Sequence, residues 1–212
     1  MSNTLQEQES IFDISVDKLL ELTASKSPTP GGGAISAVVA TFGCSLLAMV
    51  GRLTDQKKGY ESAWEISSKT WKRAETVSGI LKLVANKDIA SFQEYIDVLK
   101  LPRNFSGRKK KLKLALIKIT ESPFGIIIPC IEMLTLALEF TPYANRNAIS
   151  DISVAVHLWS SAANAAIETI LLNLNYRDKD VYYREITEKC KKYRLDVFFL
   201  QEKIVKLVKK EK

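Results

Sequence analysis

The chain has 212 residues, 46% hydrophobic and 26% charged, with a net charge of +7. That length and balance suit one folded domain with a sizeable core, and they exclude a disordered chain. Three widely spaced cysteines, Cys44, Cys130 and Cys190, give neither a disulfide framework nor a zinc knuckle, and a lone histidine, His157, offers little to a histidine metal site or a Ser/His/Asp triad.

Residues 1–10 are polar and do not read as a secretory signal, so a reducing cytoplasm is the expected location. From Ser15, a plausible cap, Val16, Leu19, Leu20 and Thr23 share one side of a short helix. Residues 27–33, Ser-Pro-Thr-Pro-Gly-Gly-Gly, then form a tight turn, because two prolines and three glycines cannot continue a helix. The uncharged run over residues 34–51 is rich in small residues and reads as a buried helix rather than a membrane span.

Apolar positions at Tyr60, Trp64, Trp71, Ala74, Val77, Leu81 and Val84 predict a long surface helix that stops near Asn86 and Lys87. Asp88 opens the next helix, with Phe92, Tyr95, Ile96 and Leu99 together, and Leu101-Pro102 ends it. A basic start over residues 108–113 leads into another helix, and Pro123 begins one that runs to about Phe140 with Pro129 inside it. A polar turn over residues 141–147 precedes an apolar helix from Ile152 to about Leu174, and a charged amphipathic helix from Asp178 closes the chain. The expected fold is a single all-α bundle of about seven or eight helices spanning residues 1–212. Two helices apolar all round are hard to enclose in such a domain, so another copy of the chain is expected to cover part of them.

Two places have residues suited to chemistry. The glycine turn can present free backbone N–H groups at a helix start, or it can merely let two helices cross closely. It lacks the Lys-Ser/Thr of a phosphate loop. Residues 145–151, Asn-Arg-Asn-Ala-Ile-Ser-Asp, read either as ordinary capping or as a polar cluster whose Asp151 is partly desolvated by the apolar helix it leads into.

In order along the chain, the Ser27–Gly33 turn, Leu53-Thr54, Lys57-Lys58-Gly59-Tyr60, Asp88 with Phe92, Pro123 and the Asn-x-Asn-x-x-Ser-Asp segment resemble the formiminotransferase-cyclodeaminase C-terminal family, also called the cyclodeaminase/cyclohydrolase family. The resemblance implies an all-helical cytoplasmic homodimer acting on folate one-carbon units, either as a formimidoyltetrahydrofolate cyclodeaminase or as a methenyltetrahydrofolate cyclohydrolase. It implies no cofactor or metal beyond the tetrahydrofolate substrate, and neither nucleic acid nor membrane as partner. The chain departs from the pattern at Thr169, where similar members often carry asparagine.

On that resemblance Asp151 is the expected acid/base. Asn145 and Asn147 orient the ligand or the carboxylate, Ser150 stands beside them, and Asp88 binds the pterin edge or assists proton transfer. Gly31, Gly32 and Gly33 supply backbone donors and room for a flat ring, while Lys58, with Lys57 and the 108–113 cluster, suits a polyanionic glutamate tail. A folate-binding or helical interaction module without turnover is the alternative from a different class.

Overall fold

The computed structural model describes residues 10–174 and 181–210. Ser15 Oγ accepts from the Lys18 N–H at 3.1 Å and starts α1 (Val16–Thr23). After the proline-glycine turn, in which the Thr29–Pro30 peptide is cis, α2 (Gly32–Thr54) begins on Gly31 without a side-chain cap. There follow α3 (Trp64–Lys100), α4 (Arg108–Glu121), α5 (Phe124–Phe140), α6 (Ile149–Leu174) and α7 (Val181–Lys210), with short 3-10 turns at Glu61–Ala63, Thr141–Tyr143 and Arg146–Ala148. The fold is all-α, with seven α-helices and no strand among the described residues.

Two sequence expectations change. The boundary at Asn86 and Lys87 does not exist, since α3 runs through it for 37 residues. Asn86 is polar there because it holds the N-terminal segment: its Oδ1 accepts from the Ile11 N–H at 3.2 Å and its Nδ2 donates to Ser10 Oγ at 2.8 Å. Asp88 consequently lies in mid-helix and caps nothing at its own helix start. His157 is exposed on α6, with its Nδ1 3.3 Å from Gln201 Nε2 of α7. The expected start of the last helix at Asp178 lies outside the described residues.

The core forms where α2 lies between α3 and α6, with α5 behind it. Small residues set how close these helices come. A Cβ at Gly43 would lie 2.6 Å from Trp159 Nε1, and one at Gly51 would lie 2.9 Å from Trp71 Cβ. Trp159 is fully buried, and its Nε1 donates to the Ala40 carbonyl at 3.1 Å, so the largest core side chain also fixes the register of α6 on α2. Truncating such a residue to alanine removes about 3–5 kcal/mol. Of the most apolar stretch of α2, 67% is buried in the fold, but α2 is not enclosed on all sides: Phe42, Met49 and Leu53 remain exposed along one face.

Candidate active site

The glycine turn and Asp88 meet. Across α2 and α3 the Asp88 carboxylate stands so close to Gly33 that a Cβ there would lie 2.5 Å from Oδ2 and 2.7 Å from Oδ1. Only a residue without a side chain admits the carboxylate to this position. The backbone N–H of Ala34, in the first turn of α2, is directed at the same carboxylate. Burial pushes the Asp88 carboxyl above its usual range, and the Ala34 amide opposes that shift without cancelling it.

These groups line a cavity of about 190 Å³ walled by Pro28, Thr29, the three glycines, Asp88, Phe92, Ile119, Thr169 and Asn173. Outside the proline-glycine turn the walls have a helical origin. Phe92 follows Asp88 by one turn of α3, and Thr169 and Asn173 are successive turns of α6 on the same face. Asn173 Nδ2 donates to the Ile119 carbonyl at 3.0 Å, which holds the amide at the cavity and ties α6 to α4. Gly32 is exposed, with nothing within 4 Å of where its Cβ would be, so it contributes open backbone. The cavity thus combines a carboxylate able to hold or release a proton, an aromatic ring, an amide and a helix start with its positive dipole end.

Lys58, Asn145, Asn147, Ser150 and Asp151 are elsewhere. Asn145 is buried beside the last turn of α2: its Nδ2 donates to the Leu53 carbonyl at 3.1 Å and its N–H to Thr54 Oγ1 at 2.9 Å. Its Oδ1 accepts from the Asn147 N–H at 3.2 Å, which caps the 3-10 turn leading into α6, so Asn145 is a structural cap in this fold. The Arg146 N–H donates to Tyr60 Oη at 3.2 Å, which joins the segment to the loop carrying Lys58. Asn147, Ser150 and Lys58 are exposed and Asp151 is half-exposed in the first turn of α6.

This second cluster therefore sits at the C-terminal end of α2, while Gly33 sits at its N-terminal end. At a rise of about 1.5 Å per residue the two ends are about 32 Å apart. Within one subunit Asp151 does not share a cavity with the glycine turn; Asp88 does. The sequence reading put Thr169 only at a departure from the family pattern, and the structure places it in the cavity wall. Asn173 escaped that reading; its signal is an amide one turn after Thr169 on the same face of α6.

The family model for formiminotransferase-cyclodeaminase matches residues 15–192. The chain is 27% identical over 199 residues to a methenyltetrahydrofolate cyclohydrolase of Methylorubrum extorquens, covering 92% of this chain and 96% of that protein. It is 29% identical to the formimidoyltransferase-cyclodeaminase of Dictyostelium discoideum and 24% identical to that of Mus musculus, spanning about one third of each (34% and 33%) and 87% and 82% of itself. The fold is that of a formiminotetrahydrofolate cyclodeaminase from Thermotoga maritima, with a TM-score of 0.86 and 22% identity over 94% of this chain and 98% of the other. With the family model covering most of its length, the chain belongs to the formiminotransferase-cyclodeaminase family.

Proposed function

We propose that the chain is a folate one-carbon enzyme working at the carbon between N5 and N10 of tetrahydrofolate, and that Asp88 is its acid/base. The observation that carries this is the Asp88 carboxylate set against Gly33 in a cavity that also holds Phe92, Thr169 and Asn173. In the cyclodeaminase direction, N10 attacks the formimidoyl carbon on N5 and gives up its proton; the tetrahedral carbon then expels its amino group, which leaves as ammonia once protonated. One carboxyl serves both transfers. It accepts the N10 proton as a base and returns it to the leaving amine as an acid, for which a pKa raised toward neutrality is the useful direction.

Phe92 offers a face for the pterin ring, and the free amides of the glycine turn suit its polar edge. The reaction as written calls on no cofactor beyond the folate, which acts as substrate, and a cytoplasmic homodimer is the form proposed for it.

A second reading, cyclohydrolysis, is favoured by the end-to-end similarity to the Methylorubrum cyclohydrolase. There the same carboxyl takes a proton from water as it adds to the methenyl carbon and returns it to the folate nitrogen that leaves when the C–N bond breaks and the ring opens. Two assays separate the readings. Ammonia release with a rise in methenyltetrahydrofolate absorbance from formimidoyltetrahydrofolate supports cyclodeamination; loss of that absorbance above the spontaneous rate, from methenyltetrahydrofolate, supports cyclohydrolysis. Folate binding with neither reaction supports the non-catalytic module and defeats both.

A further inference from the structure

A polar atom in the cavity wall is left without a donor. Asn173 Nδ2 donates to the Ile119 carbonyl at 3.0 Å, while its Oδ1 meets no donor among the described residues. Thr169, one turn earlier on the same face of α6, does not supply one, because its hydroxyl donates to the Ala165 carbonyl at 3.0 Å.

The chain fixes which way this amide faces. In a continuing α-helix the Ile119 carbonyl would accept from the N–H four residues on, at position 123. The backbone at Ser122 is still helical (φ -51°, ψ -44°), but residue 123 is proline and has no N–H to give. Asn173 takes that place with its nitrogen. Turning the amide over would set Oδ1 against a carbonyl oxygen, so the nitrogen stays on Ile119 and the oxygen is the atom left for the cavity.

The glycine turn presents the opposite kind of group. Gly32 and Gly33 are the first two residues of α2 and Gly31 brings no side-chain cap, so their N–H groups have no acceptor within the helix. The cavity therefore offers backbone donors on one wall, a fixed neutral acceptor on another and the ring of Phe92. A flat ring whose edge carries a carbonyl beside an N–H, a lactam, matches that pattern.

We propose that Asn173 determines specificity: its Oδ1 accepts from the lactam N3–H of a pterin while the glycine amides donate to the neighbouring C4 carbonyl, so the site selects 4-oxo over 4-amino pterins. The inference rests on the function proposed above for the identity of the ligand. In a 4-amino ring N3 carries no hydrogen and the group on C4 is a donor, so each contact sets like against like. The expected preference is about 10–100-fold in affinity.

Isothermal titration with tetrahydrofolate and with its 4-amino counterpart tests this without turnover. Wild type binds tetrahydrofolate about 10–100-fold more tightly, and Asn173→Leu, close in volume, cuts that preference by about fivefold or more. An Asn173 that only ties α6 to α4 would, when replaced, weaken both ligands alike and leave their ratio unchanged. Pro123→Ala keeps Asn173 but gives the Ile119 carbonyl a backbone donor, which frees the amide to turn over, and the preference falls in this variant too. Equal affinities in wild type, or an unchanged ratio in Asn173→Leu or Pro123→Ala, each overturn the inference and leave the proposed function standing. A wild-type chain that binds neither pterin defeats the proposed function, and the inference with it.

Discussion

Gly33 and Asp88, 55 positions apart, are fitted to each other so closely that one added methyl would overlap the carboxylate at 2.5 Å. Gly33→Ala therefore displaces Asp88, and its kcat is expected to fall at least 100-fold. Gly32→Ala, next door, meets nothing within 4 Å; its kcat stays within a few-fold of wild type. Equal losses in steady-state assays of the two variants would contradict the geometry.

Asp88→Asn keeps the shape and removes the proton carrier, so kcat falls by about 10²–10⁴. The same change has a second signature. Burial raises the Asp88 pKa above its unfolded value, so the folded state holds the proton more tightly. Stability from this group is then present at pH values below the unfolded pKa and is lost as pH rises through the folded one. Asp88→Asn is expected to be more thermostable than wild type at pH 8, with the gap closing toward pH 4. Melting curves across that range check it.

Asn145 was read from the sequence as a ligand-orienting residue, and the fold uses it as a cap. Asn145→Ala leaves the Leu53 carbonyl and the Asn147 N–H without their side-chain partner, at a cost of about 1–3 kcal/mol. Urea titration should show the midpoint falling with an unchanged slope.

The three thiols are held in reserve by burial, which pushes Cys44 up to about 12 and Cys190 up to about 11 and raises Cys130 as well. A thiol reagent at pH 8 is expected to label them at the rate of unfolding. Stoichiometric labelling within seconds in native buffer would show them to be more accessible than this.

Helical class and most of the helices were legible because period 3.6 and the proline-bearing breaks at residues 28–30, 102 and 123 are local signals. Ser15 capped α1 as its spacing implied. The Asn86-Lys87-Asp88 triplet misled because two of its polar side chains serve distant partners, Ser10 and Ile11 for Asn86 and the start of α2 for Asp88. Local propensity has no access to such pairings. Within the subunit the cavity holds Asp88 and not Asp151, for a related reason. How far a carboxylate is desolvated depends on what folds against it, and the apolar run after Asp151 turns its apolar face inward while Asp151 stays half in water.

The bond between Trp159 and the Ala40 carbonyl makes α2 a calibrated spacer. It pins the middle of the helix, and every residue between that point and Gly33 turns the chain by about 100°. Inserting or deleting one residue in that interval would leave the Trp159 anchor in place but rotate the buried Ala34 and Ala37 away from their contacts, and it would swing the glycine turn to a face of α2 where no carboxylate waits. The number of residues from Gly33 to Ala40 is therefore fixed by a partner that lies beyond the stretch, the Asp88 carboxylate on the neighbouring helix.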